Sequence, residues 1–304
     1  MNLFAVFLFP NPMKISGFSF VRNAEIFDYP VLESITSLLP ICDEVIVAVG
    51  KSDDNTLELL QSLQSPKLKI IETVWDDSLR QGGKILAEQT NVALSHCTGD
   101  WCIYLQADEI LHEEDYTVIL SEIIQADSNG EIEALLFAYR HFYGSYDYLG
   151  AGRQWYRQEI RVIRNTGKVI SWGDAQGFRK LENGTPEKLT AHRIKARIFH
   201  YGWVKHPRIQ QRKQLSFHKL WHSDDWMKDN IPNVDEFEYE CYELERFNET
   251  HPRVMQQRIE QSKEWTDRFD SSRLKPKPLR MKITDAIEHL TGWRIGEYKN
   301  FIEV

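Results

Sequence analysis

The chain lacks any apolar run long enough to cross a bilayer. Its opening stretch, residues 2–12, is apolar but falls far short of the roughly 20 residues a spanning helix needs. That stretch has neither a basic n-region nor a clear cleavage site, so no transmembrane segment and no signal peptide is expected. Residues 1–12 read as an extension ahead of a second plausible start at Met13. Cysteine is scarce: Cys42, Cys97, Cys102 and Cys241 form no C-x-x-C pair and sit in apolar or helical stretches. Such thiols behave as small buried hydrophobes, which points to a reducing, cytoplasmic compartment. Basic residues are in deficit, 37 Lys and Arg against 45 Asp and Glu, for a net charge of −8. This balance disfavours nucleic acid as a partner. An anionic small ligand then needs a local device: a cation, a helix N-terminus or a few placed basic residues.

What is present is the material of a large core. With 304 residues, 42% apolar and 27% charged, one substantial α/β domain with an appendage is expected. Four apolar runs recur, at 15–21, 44–49, 68–73 and 101–105; those at 45–49 and 101–105 do not alternate with polar residues, so both faces should be covered, as in a parallel sheet flanked by helices. Between them, 29–39, 55–63 and 84–95 carry apolar residues near helical spacing. The alternation predicts an α/β fold built on a doubly wound, mostly parallel sheet. Such sheets bind ligands beyond the carboxyl ends of their strands, which singles out the loops after Val21, Val49, Thr73 and Leu105.

After a helix over 113–126 the pattern turns to strands at 134–141, 160–164, 169–172 and 193–204. The turn-like separators Asn165-Thr166-Gly167-Lys168 and Glu182-Asn183-Gly184-Thr185-Pro186 predict antiparallel additions to the sheet. Past Pro207, helices are expected over 208–222, 236–248 and 253–269, followed by the break Lys275-Pro276-Lys277-Pro278 and a final segment. The chain thus divides into an extension (1–12), a main domain (13–206) and a mainly helical C-terminal extension (207–304).

The sharpest local feature is Leu105-Gln106-Ala107-Asp108-Glu109 at the end of a buried run. Two adjacent carboxylates there are placed to meet a hard divalent cation and a diphosphate. The same residues also suit a helix start, with Asp108 as its cap.

Residues 14 to about 125 resemble family 2 glycosyltransferases, on several pieces taken in order. These are Ser19-Phe20-Val21-Arg22-Asn23; Asp43-Glu44-Val45-Ile46-Val47 leading into Ser52-Asp53-Asp54-Asn55-Thr56; Gly82-Gly83-Lys84 with Asn91, Ala93 and Gly99-Asp100; and Gln106-Ala107-Asp108-Glu109. The resemblance implies a GT-A fold, a nucleotide-diphospho-sugar donor, a saccharide or other hydroxyl acceptor, and Mg²⁺ or Mn²⁺. It makes Asp108 the last acid of the family's D-x-D motif and a metal ligand, with Gln106 where the first acid is usual. Gln106 can still hydrogen-bond a ribose or sugar hydroxyl.

Val21, Arg22, Asn23, Asp53 and Lys84 match the donor side. The loop after the second strand reads Val49-Gly50-Lys51 where the family places a base-reading acid, a role left to Asp53 or Asp54 unless they cap the helix near Asn55. His200 is either a late metal ligand or a packed core histidine. An inverting transfer needs a general base, for which Asp174 leads and Glu159 and Asp147 are rivals. His218 and His222, four apart on a helix, read as a surface pair. Two other classes remain open: a catalytically silent sugar-nucleotide-binding relative, and a sugar nucleotidylyltransferase. The second is disfavoured because Phe20-Val21-Arg22-Asn23-Ala24-Glu25 contains no glycine.

Overall fold

The computed structural model describes residues 13–76, 78–79, 81–231 and 234–304; the extension expected at 1–12 lies outside them. The first half alternates strand and helix: β1 (Ile15–Val21), α1 (Val31–Leu38), β2 (Glu44–Gly50), α2 (Thr56–Gln61), β3 (Leu68–Thr73), α3 (Lys84–Ser95) and β4 (Trp101–Tyr104). These four strands lie parallel in the order β4-β1-β2-β3. The unbroken apolar runs follow from that setting. Val45, Val47 and Val49 of β2 enter the core under α1, while Ile46 and Ala48 enter the core on the opposite face. Each such side chain contributes roughly 1.5–3 kcal/mol on burial, so a strand apolar on both sides is held only between two helical layers.

The second half adds β5 (Glu109–Leu111), α4 (Tyr116–Ser128), β6 (Ala134–Tyr143), β7 (Tyr148–Gly150), β8 (Gln158–Arg164), β9 (Val169–Trp172), β10 (Gly177–Glu182), β11 (Thr185–Lys188) and β12 (Thr190–Trp203). β8 joins β4 antiparallel and β6 joins β8 antiparallel. The long β12 runs parallel to β6 and antiparallel to β5. The expected mixed sheet is therefore present, with one correction. Residues 169–172 do not extend it but form a separate three-stranded sheet with β10 and β11. The turn at Asn183-Gly184, both residues at positive φ, closes the β10–β11 hairpin, since a two-residue turn of that hand matches the twist of its strands.

The remainder comprises α5 (Pro207–Lys219), α6 (Asp224–Asn230), β13 (Leu244–Arg246), α7 (Gln256–Thr266), α8 (Leu279–Thr291) and β14 (Ile302–Glu303). The helix expected at 236–248 is absent, and the segment is extended up to the short β13. Its residues alternate: Glu236, Glu238 and Glu240 are exposed, whereas Phe237 and Tyr239 are half-buried and Cys241 is buried. Tyr239 packs edge-on against Phe237 and Tyr143 and donates its hydroxyl to the Lys205 carbonyl. A period of two, not 3.6, suits a chain with one face on the body.

Candidate functional site

A cavity of about 690 Å³ opens where β1 and β4 end, at the edge where ligands meet sheets of this build. Its walls come from the loops after β1 and β4, the β9–β10 turn, the end of β12 and helix α5. Val21, Arg22, Asn23, Asp53, Gln106, Asp108, Asp174 and His200 all line it. Lys84 does not; it is exposed at the start of α3. The glycine pair before it has another use. A Cβ on Gly83, which sits at φ 67°, would fall 2.9 Å from the Asp174 Cβ and 2.9 Å from the Trp221 ring, so glycine lets the Asp174 turn approach α3.

The two acids of the 105–109 motif part company. Glu109 turns into the core, where Arg161 grips it at 2.8 Å from both Nε and Nη2 and the Tyr139 hydroxyl donates at 2.8 Å. Neither side chain of the pair is exposed at all. Arg161 also donates to the Gln176 carbonyl at 3.1 Å, which ties the Asp174 turn to the motif. Asp108 faces the cavity and caps no helix. The following helical turn is capped by His112, whose Nδ1 accepts from the Glu114 N–H.

Around Asp108 the hydrogen bonds assign the histidine tautomers. The Tyr156 carbonyl only accepts, so His141 donates to it from Nε2 at 2.8 Å. The Nδ1 of His141 is then an acceptor and takes the N–H of His200 Nδ1 at 3.0 Å. His200 is left with its Nε2 lone pair directed at Oδ1 of Asp108, 3.8 Å away. Burial pushes the pKa of His200 down, and that of His141 well down, keeping both rings neutral. A carboxylate oxygen and an imidazole lone pair facing each other is an arrangement a cation completes. Gly202 keeps the space open, because a Cβ there would lie 2.6 Å from His200 Nε2 and 2.7 Å from Asp108 Oδ2. The donor set therefore fits a divalent ion with two protein ligands. Among the described residues there is no group of three His, Cys, Asp or Glu to hold one, so an ion bound there would need ligand oxygens and water for its remaining positions.

The site also holds basic groups that sequence reading passed over. Lys213 on α5 reaches Oδ2 of Asp108 at 3.1 Å and the Gly202 carbonyl at 3.0 Å. Lys205, fully buried, donates to the Asp28 carbonyl at 2.7 Å, and both ammonium groups lie about 5 Å from the Tyr29 ring. Burial by itself would raise the Asp108 pKa. The Lys213 ammonium, with that of Lys205, instead holds the carboxyl well below its usual range.

Also on the lining, Asn23 and Asp53 tie the first two loops together, with the Asp53 N–H donating to Asn23 Oδ1 at 2.8 Å. Asp54 is a helix-start residue, accepting from Thr56 and Ile26 backbone N–H groups. Arg22 lies over the Trp75 ring at 5.4 Å. Of the three acids weighed as a base, only Asp174 lines the cavity. Its turn is strained, with Ala175 at φ 66°, a region L-residues rarely occupy. His218 and His222 stack with Trp226, as a surface pair would, although His218 also borders the cavity.

A model of Glycosyl transferase family 2 matches residues 29–181, half of the chain. Among curated proteins none matches. Solved structures similar to parts of the chain include TarS 1–349 of S. aureus in complex with UDP, 21% identical, covering 43% of this chain and 36% of that one with a TM-score of 0.33. A mannosyltransferase from Pyrobaculum calidifontis, in complex with GDP-Man and Mn²⁺, is 20% identical over 42% of this chain and 36% of its own, at TM-score 0.33. Glucosyl-3-phosphoglycerate synthase from Mycobacterium tuberculosis is 18% identical over 42% and 44% of the two chains, at 0.31. The chain thus spans less than half the length of each.

Proposed function

Because the chain belongs to glycosyl transferase family 2, we propose that it moves a sugar from a nucleotide-diphospho-sugar donor to an acceptor hydroxyl, inverting the anomeric carbon. The observation that carries this reading is the facing pair of Asp108 Oδ1 and His200 Nε2, 3.8 Å apart, in the cavity at the carboxyl edge of the parallel strands. Asp108 and His200 would hold Mg²⁺ or Mn²⁺, which when bound neutralises charge on the departing nucleoside diphosphate. His141 keeps the His200 lone pair turned outward.

Val21, Arg22, Asn23, Asp53 and Gln106 form the wall that would take the nucleoside and donor sugar. Asp174, which lines the same cavity, receives the acceptor proton as the acceptor oxygen bonds to the anomeric carbon and the bond to the diphosphate oxygen breaks. The acceptor, a saccharide or other hydroxyl compound, would enter past Tyr156, Trp203 and Phe217, which line the same cavity. On this reading 13–206 carries the donor chemistry and 207–304 closes the site through α5. The four free thiols support a cytoplasmic setting. No helix among the described residues is long and apolar enough to cross a membrane.

The purified protein, given a panel of nucleotide sugars, Mn²⁺ and hydroxyl acceptors, should release nucleoside diphosphate, and Asp108→Asn should lower the rate by about 10²-fold or more. No release with any donor would overturn the transferase reading in favour of a silent, binding-only relative.

A further inference from the structure

Asp108 presents two oxygens to two different partners. Oδ1 faces the His200 lone pair, and Oδ2 is held by the Lys213 ammonium. A carboxylate this buried needs a counter-charge, and in the structure Lys213 supplies it. Lys213 is not locked in a polar lattice. Among the described residues its Nζ donates to Oδ2 of Asp108 and to the Gly202 carbonyl, while its stem comes from α5, a wall of the same cavity. An ammonium has three N–H donors, and the described residues give the third no acceptor beyond the Tyr29 ring, 4.9 Å from Nζ, so it can be drawn to an anion in the cavity.

A dication between Oδ1 and Nε2 would stand within a few ångströms of Lys213, and like charges that close repel strongly in a buried site. A diphosphate brings the negative charge that such an ammonium would otherwise lack. We propose that Lys213 is an exchangeable counter-ion: it neutralises Asp108 while the site is empty and is handed to the donor's diphosphate when the divalent ion takes over the carboxylate. The inference rests on the metal assignment made for Asp108 and His200. It makes Lys213 a competitor of the metal alone and a ligand of the diphosphate alone, two couplings of opposite sign through one side chain. Coupling free energies of this kind are reciprocal, so each is measurable by binding without turnover.

The test uses the full chain, with Mn²⁺ binding followed by electron paramagnetic resonance and inorganic pyrophosphate binding by calorimetry. Lys213→Met keeps an unbranched stem but removes the charge. Relative to wild type it should bind Mn²⁺ alone at least about fivefold tighter and pyrophosphate alone at least about fivefold weaker. Lys213→Arg, which keeps the charge, should stay near wild type in both and guards against a misfolded Met variant; wild-type melting of both variants is checked first. Mn²⁺ binding that is unchanged or weaker in Lys213→Met overturns the exchange while leaving the metal site standing. If no variant binds Mn²⁺, with or without pyrophosphate, the metal assignment and the exchange fall together. Nucleoside diphosphate release that persists in such a metal-blind enzyme would still uphold the transferase reading.

Discussion

A general base has to be ionised at the moment of transfer, and burial works against that at Asp174. Removal from water raises its pKa, an effect only partly offset by backbone N–H groups and by the Arg161 guanidinium. If Asp174 takes the acceptor proton, kcat should climb with pH through a limb lying above the ordinary carboxylate range and then level off. The sign follows from the role, because the protonated acid below its raised pKa cannot accept. Asp174→Asn should abolish that limb and reduce kcat by about 10²–10⁴-fold while donor binding changes little. A limb that persists in the variant would transfer the role to another group. At this scale the place of Asp108 and His200 on the cavity was legible, because a motif at a strand end singled out the first and the family resemblance the second. Lys213, His141 and Arg161 were not, since each acts through a partner more than 50 residues away, and nothing in local pattern separates such a residue from a surface lysine, a core histidine or a strand arginine.

The β4–β5 turn shows how an element divides one motif between stability and chemistry. Asp108 is left to the cavity because Glu109, the first residue of β5, is drawn inward by Arg161 of β8 and by Tyr139 of β6. Arg161→Met strands a carboxylate with no exposure in the core, and removing one partner of a buried pair typically costs 3–5 kcal/mol. Urea denaturation should show a loss of about that size. The double variant Glu109→Leu with Arg161→Met should recover most of it, since no charge is then left unpaired. Equal losses in single and double variants would mean that packing, not charge, dominates. The parallel strands β2 and β4 could be read from sequence because burial on both faces writes an unbroken apolar run. The 169–172 strand was legible but its sheet was not, because its partner is the next strand, β10, across a short turn, and the mixed polar and apolar residues 177–182 were not read as a strand. At 236–248 the alternation of Glu with Phe and Tyr was present in the sequence, yet it was read with a helical period.

Taken as a whole, the molecule folds its last hundred residues back over both sides of the site. Arg258 of α7 pairs with Asp28 at 2.6 Å and Glu33 at 2.8 Å, gripping the segment that follows the β1 loop. At the far end, β14 adds to β12, with the Ile302 N–H donating to Leu189 O and that of Val304 to Ala191 O. Phe301 enters the core beside Phe178 and Leu189. Asn300 accepts from the buried Arg179 through its carbonyl at 2.8 Å and its side chain at 3.1 Å. The same Asn300 fills the space above Gly177, where a Cβ would lie 2.8 Å from its Nδ2, three residues beyond Asp174. The tail thus braces the turn that carries the proposed base, while the donor loops after β1 and β4 are built without it. Deleting residues 300–304 removes one buried aromatic and leaves Arg179 short of acceptors, together on the order of 4 kcal/mol, to be read from chemical denaturation. In the protein that remains folded, kcat should drop while the Kd for nucleoside diphosphate stays within about threefold of wild type, a tolerance below the 1.4 kcal/mol that a tenfold change represents. A parallel loss of nucleotide binding would show instead that the tail supports the whole cavity and not the Asp174 turn alone.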